Sequence, residues 1–132
     1  MLYAILCYND ENQIAAWTKA EDDGVMQRIG AVTQKIAAAG KLGPTARLVA
    51  TKEAKVLRKD KAGRPVVTDG PFAETKEHFL GFYIVDVANV DEAVEIAKEL
   101  QAANMGPSAY DIRPVMLYTG AGTIPDRMAA AS

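Results

Sequence analysis

The sequence predicts an α+β domain in which an antiparallel sheet carries helices on one face, in the split βαβ order of the ferredoxin-like group. Three observations lead there. Two stretches repeat their apolar residues at helical spacing, and each lies between strand-like apolar runs. The full order reads strand, helix, strands, strand, helix, strand. At 132 residues the chain has room for a single core and one domain.

The elements follow in turn. "MLYAILCY" is a short apolar and aromatic run, read as a strand, and "NDENQ" breaks it with turn-forming side chains. From Glu21 to Ala39, Val25, Ile29, Val32 and Ile36 recur at helical spacing behind Glu21, Asp22 and Asp23, with Gly40 as the C-terminal cap. "ARLVAT" and "AKVLRKD" read as short strands. Asp60 to Gly63 is a turn leading into "RPVVTD", whose Pro65 places it at a sheet edge. "FLGFYIVDV" is the strongest strand in the chain. "NVDEAVEIAKELQAAN" is a second helix, N-capped by Asp91, with Ala93, Ala97 and Leu100 on one face. "AYDIRPVMLY" closes as a strand. The domain is expected to span residues 1–118, and residues 119–132 form a tail without periodicity.

The strongest strand also predicts a partner. Leu80, Phe82 and Ile84 alternate with Gly81, Tyr83, Val85 and Val87, so both faces are apolar, and the first strand repeats the pattern. A sheet with helices on one side should be polar on the other. With no third helix to cover the second face, a homodimer packed sheet to sheet is expected.

Composition narrows the function classes. A net charge of −2 and the absence of a long basic stripe argue against nucleic acid. No apolar run approaches the roughly 18 residues of a membrane span, and no signal peptide is read at the N-terminus, so a cytoplasmic protein is expected. A single cysteine, Cys7, excludes an intrachain disulfide and reads as a small buried hydrophobe. One histidine among scattered carboxylates lacks metal-ligand spacing, so neither metal nor cofactor is expected.

The run Asp69-Gly70-Pro71-Phe72-Ala73-Glu74-Thr75-Lys76-Glu77, followed by Gly81 and Phe82, resembles the YCII-related proteins, and within them the branch named for its Asp-Gly-Pro-Phe motif. The opening strand and "IRPVMLY" resemble the family too, so the likeness runs from Met1 to Tyr118. It implies a bacterial, cytoplasmic, dimeric α+β barrel with no single settled reaction, and a regulatory link through relatives encoded beside sigma-factor-like proteins. Two departures stand out. Leu80 replaces the first of the paired glycines frequent in this strand. Residues 17–40 contain no histidine, so the histidine–aspartate dyad suspected in other branches has no counterpart here.

The residues of the motif admit two readings each. Asp69 is either the acceptor that closes a turn, with Gly70 at positive φ, Pro71 restricting the chain and Phe72 an apolar anchor, or an acid at the rim of a pocket. Gly70, Pro71 and Phe72 would then let a ligand approach the backbone. Glu74 and Lys76 belong to a solvated "ETKE" turn or to a polar pocket wall. His78, the lone imidazole, is a surface or strand-end residue, or an acid–base group oriented by Asp69, Glu74 or Glu77.

Other candidates come from outside the motif. Tyr83, with Trp17, Tyr3, Tyr8, Tyr110 and Tyr118, is core, interface or cavity wall. Arg113 pairs with Asp111 or Asp86, or binds an acid. Residues 52–64 carry six basic and two acidic side chains, a solvated hairpin or an attractor for an anion or an acidic protein. Three classes follow: a homodimer binding a small molecule in a cavity near the Asp69–Phe72 turn, a cofactor-independent isomerase or lyase using Asp69 or His78, and a regulatory module with a protein partner.

Overall fold

The computed structural model describes residues 1–73 and 75–120. Six strands and three helices follow one another as β1 (Leu2–Asn9), α1 (Glu11–Ala15), α2 (Lys19–Ala38), β2 (Leu42–Arg47), β3 (Lys55–Lys59), β4 (Pro65–Asp69), β5 (His78–Asp86), α3 (Val90–Ala103) and β6 (Ala109–Pro114). A four-stranded sheet runs in the order β2-β5-β1-β6 with every neighbour antiparallel, and β3–β4 forms a separate hairpin. This is the ferredoxin-like order with a hairpin inserted between β2 and β5.

The core lies between the sheet and α2 and α3. Tyr3, Ile5, Val85 and Val87 from the strands meet Ile36, Ala93, Ile96, Ala97 and Leu100 from the helices, and Ile5 is 0% exposed. On α3 the buried residues Ala93, Ile96, Ala97, Leu100 and Ala103 fall on one stripe, and the alanines let the helix lie close to the strands. A capping box starts α2: the Thr18 hydroxyl accepts the Glu21 N–H, and the Glu21 carboxylate accepts the Thr18 N–H. Gly40, at φ 71°, ends it as the spacing predicts, and the Lys41 N–H reaches back to the Ile36 carbonyl at 3.0 Å. Arg28 of α2 donates to the Ala103 carbonyl at 3.0 Å, joining the two helices at the end of α3.

Four local expectations are corrected. "NDENQ" contains a short helix, α1, capped by the Asp10 side chain, because one turn closed by a cap needs no apolar period. The second strand is Leu42–Arg47 and not "ARLVAT". Gly43 and Pro44 read as breakers, but β2 is an edge strand with an irregular register between Leu42 and Thr45, where a proline removes no ladder bond. The N-cap of α3 is Asn89, whose side chain accepts the Glu92 N–H, while Asp91 sits in the first turn. Residues 75–77 form a bend, with the Glu77 N–H on the Thr75 hydroxyl at 3.1 Å, and no helical turn.

The two faces of β5 separate as its alternation predicts. Tyr83, Val85 and Val87 face the helices. Phe82 and Ile84 pair with Leu6 and Ala4 of β1 on the opposite face, joined there by Leu2 and Tyr8. None of these six outward apolar residues is fully buried, and no described element covers them.

Candidate functional site

The floor of the site is one rung of the sheet. Arg47 of β2 lies opposite Gly81 of β5, Gly81 opposite Cys7 of β1, and Cys7 opposite Tyr110 of β6. The next rung, on the same face, is Thr45, Tyr83, Ile5 and Ile112. The middle of the first rung is therefore a glycine and a small thiol, flanked by long side chains at both edges. That shortage of side-chain volume leaves a hollow of about 290 Å³ beneath the helices. Val25, Met26, Ile29 and Gly30 of α2 roof it, and Ile14 of α1 and Trp17 close one end. Gly81 is required twice, since a Cβ there would also stand 2.2 Å from the Ala46 carbonyl oxygen.

Arg47, Tyr83 and Tyr110 are polar groups on the cavity floor, and Thr33 of α2 and Asn104 at the end of α3 also line it. Burial pushes the Tyr83 phenol up to about 12, with Cys7 and Tyr110 adding to the rise and Arg47 opposing it, so the hydroxyl stays a proton donor at neutral pH. Burial pushes the Cys7 thiol up to about 12 as well, which leaves it a poor nucleophile. Tyr110 is likewise raised by burial, and its hydroxyl is 3.5 Å from the Asn104 amide nitrogen. Arg47 stands at the mouth. Its guanidinium touches the Met26 sulfur at 2.9 Å and lies 3.9 Å from Asp22.

A second cluster ties α1 to the end of the sheet. The Glu11 carboxylate accepts the Thr51 N–H at 3.1 Å and also the Thr51 hydroxyl, and lies 3.8 Å from His78 Nε2. His78 is 8% exposed, and its Nδ1 accepts the Glu11 N–H at 3.2 Å. Burial alone would raise the Glu11 carboxyl, but the two Thr51 hydrogen bonds and His78 hold it below the usual carboxylate range. A carboxyl whose folded pKa is depressed stabilises the fold above its unfolded value of about 4.3, and that contribution is lost as pH falls through the folded pKa. Glu11→Gln is therefore expected to cost about 1 kcal/mol at pH 7. The gap to the wild type should hold down to about pH 4 and narrow only below it, where the pH falls through the depressed folded pKa, as read from urea melts across that range. A gap that does not change with pH would mean that the carboxylate charge plays no part.

The Asp69–Phe72 corner leans on the same cluster from outside. Gly70 donates to the Ala54 carbonyl at 2.8 Å, and a Cβ on it would stand 2.6 Å from Ala54 Cβ. Its φ is not positive, so the glycine serves close approach and not a left-handed turn. The Gly70–Pro71 peptide is cis. Two further expectations are corrected here. Phe72 is 67% exposed with the Arg58 guanidinium 4.3 Å over its ring, so it anchors nothing apolar. Asp69 is solvent-exposed and pairs with Lys55 rather than with the turn backbone.

Of the residues expected to bind ligand, Tyr83 lines the helix–sheet cavity, and Gly70, Pro71, Phe72 and Lys76 do not. Arg113 pairs with Asp111 at 2.7 Å, the pairing expected of it. Of the two residues expected to act as acid or base, Asp69 is at the exposed corner. His78 is buried at the strand start, not at the surface, with Glu11 rather than Asp69 or Glu77 against it. Glu74 and residues 121–132 lie outside the described residues. Trp17 and Tyr110 join Tyr83 at the cavity, Tyr8 borders it while its ring packs on Phe79, and Tyr3 belongs to the core. Arg47, Asn104, Glu11 and Thr51 were not singled out as candidates by sequence reasoning. The basic residue at the strand end carried a signal, but its partner Gly81 is 34 residues away and only the register joins them.

Among the described residues no group of three or more His, Cys, Asp or Glu side chains could hold a metal ion. No described helix is long and apolar enough to cross a membrane. The family model described as YCII-related domain matches residues 1–118. A protein of Rhizobium meliloti (strain 1021), described as uncharacterized, is 54% identical over 118 residues, which cover 89% of this chain and 94% of that protein.

Proposed function

The chain belongs to the YCII-related family, and from that premise we propose that it is a homodimer that binds a small molecule in the helix–sheet cavity. One observation carries the binding reading. A hollow of about 290 Å³ has walls of Ile14, Trp17, Val25, Met26, Ile29 and Leu100, with a few donors placed among them, Arg47, Tyr83 and Tyr110 on its floor. Apolar walls with a few placed polar groups are the usual build of a ligand site, and the volume suits a ligand of one or two rings. The apolar outer face of β1 and β5 supports the dimer.

Gly30 gives the test. It lines the cavity from the middle of α2, and a Cβ on it meets nothing within 4 Å. Gly30→Phe removes a helix-interior glycine, a propensity gain of about 0.3–0.5 kcal/mol, and directs a ring toward the hollow. The variant is expected to melt no lower than the wild type and to lose ligand. Native mass spectrometry of gently purified protein reads the second effect as the disappearance of a bound non-protein mass. A bound mass that persists in Gly30→Phe removes the cavity from consideration. Wild-type protein that arrives empty and then takes up nothing from a panel of small aromatic and alicyclic compounds removes the binding reading itself.

A second reading, a cofactor-independent enzyme moving a proton through His78, has one observation behind it: an orienting carboxylate, Glu11, 3.8 Å from Nε2. It asks substrate to reach a side chain that is outside the cavity lining and whose Nδ1 already accepts a backbone N–H. Binding in the cavity is the better supported of the two. The cluster of Glu11, Thr51 and His78 then serves to hold α1, and with it Ile14, over the cavity.

A further inference from the structure

The cavity lining contains nineteen uncharged residues and one ion, and that imbalance selects the ligand. We infer that the ligand is an apolar acid, a carboxylate or similar monoanion on a ring-sized hydrocarbon body, whose anionic group sits between Arg47 and Tyr83. The inference rests on the small-molecule reading above and adds the charge and orientation of the bound species.

Geometry puts the two groups in the right relation. Arg47 faces Gly81, and Tyr83 is two residues further along the same strand on the same face, so their side chains stand diagonally across a position that has none. Across the sheet the next residue in that rung is Cys7, also small. A flat anionic group can therefore lie over Gly81, accepting from the guanidinium on one side and from the phenol on the other. The Tyr83 hydroxyl makes no hydrogen bond among the described residues, and it is held in its protonated, donating form. The present partners of Arg47 leave most of its five donors unused. A thioether sulfur is a weak acceptor, and Asp22 at 3.9 Å is too far for a hydrogen bond.

No lining residue carries a negative charge, so nothing inside the cavity opposes an anion or rewards a cation. The rest of the ligand would meet mainly the apolar side chains of Met26, Ile29 and Leu100 and the ring of Trp17. An anion is favoured there because the guanidinium of Arg47, whose side chain is 57% exposed at the mouth, matches a carboxylate in shape as well as in sign.

The test uses the intact protein and calorimetric titration at neutral pH with naphthoate, with naphthamide as the neutral analogue of the same shape, and with naphthylmethylamine as the cation. Naphthoate is expected to bind about tenfold or more tighter than naphthamide, with the amine weakest. Arg47→Gln is expected to erase the difference between naphthoate and naphthamide, the acid losing at least about tenfold more affinity than the amide. Asp22→Asn, which removes the competing carboxylate, is expected to tighten naphthoate alone. Equal binding of all three probes overturns the anion inference and leaves the cavity reading standing. The anion inference fails in the same way if Arg47→Gln weakens the amide as much as the acid. Binding of none of the three overturns both, and Gly30→Phe distinguishes binding in the cavity from binding elsewhere.

Discussion

Gly81→Ala is expected to be the most damaging single substitution in the described fold, lowering stability by about 3 kcal/mol or more. The added Cβ would stand 2.2 Å from the Ala46 carbonyl oxygen and 3.2 Å from Ala46 C and Arg47 Cα. All three are backbone atoms, so no side chain can swing aside. Either β2 separates from β5, giving up the pairs of Thr45, Ala46 and Arg47 with Tyr83, Phe82 and Gly81, or the irregular stretch of β5 before Gly81 must be rebuilt. At this chain length the loss corresponds to a fall in melting temperature of roughly 10 °C or more. Calorimetric or far-ultraviolet melts of the two proteins read it directly. A fall of less than about 3 °C would mean that the edge strand yields easily and that the close approach is not a constraint. Ligand should be lost as well, even at temperatures where the variant is folded, because the substitution displaces Arg47 and fills the centre of the floor.

Much of this architecture is written in local pattern, and the parts that are not share a cause. The double-sided apolar alternation of β5 is visible in residues 80–87, and both of its faces are where the alternation places them. The stripe of α3 and the Gly40 cap of α2 are equally local. β2 is hidden because Gly43 and Pro44 signal a break, and only its place at the sheet edge makes them acceptable. The cavity floor is hidden for a related reason. Arg47, Gly81, Cys7 and Tyr110 come from four separate strands, and only the pairing register aligns them. A register slip of one residue would send each side chain to the other face.

The Asp69–Phe72 corner shows the opposite failure. Its residues are conspicuous in sequence, yet their visible work is steric, with Gly70 against Ala54 and Arg58 over Phe72. The corner instead abuts a cluster in which Glu11 comes from a segment too short to have a period. That cluster links the corner to α1 through Thr51, whose carbonyl oxygen would stand 3.1 Å from a Cβ at Gly70. The corner can thus matter to the cavity without lining it, by holding the segment that holds its end wall.

Leu6→Glu is the second large effect, and it acts between chains. Leu6 lies at the centre of the outward face, opposite Phe82 on one side and Asp111 on the other, with Ala4, Ile84 and Tyr8 around it. Phe79 extends the patch, its ring 5.5 Å from that of Tyr8. In a single chain a glutamate at this position points into water and costs little. In a sheet-to-sheet dimer it is buried beside the Asp111–Arg113 pair, two carboxylates against one cation, and twofold symmetry places a second copy of the same excess charge in the same interface. An unpaired buried charge costs about 3–5 kcal/mol, which at 1.4 kcal/mol per tenfold weakens association at least about a hundredfold. The wild type is expected to sediment as a dimer at micromolar concentration and Leu6→Glu as a monomer with unchanged far-ultraviolet dichroism. A wild-type monomer would remove the dimer altogether. A Leu6→Glu dimer would move the interface elsewhere, to the exposed Leu57 and Val67 of the β3–β4 hairpin or to Met116 and Leu117. Because Leu6 faces away from the helices, naphthoate binding by the monomeric variant also decides whether one chain completes the site. Retained affinity assigns the cavity to the single chain, and lost affinity makes the partner part of it.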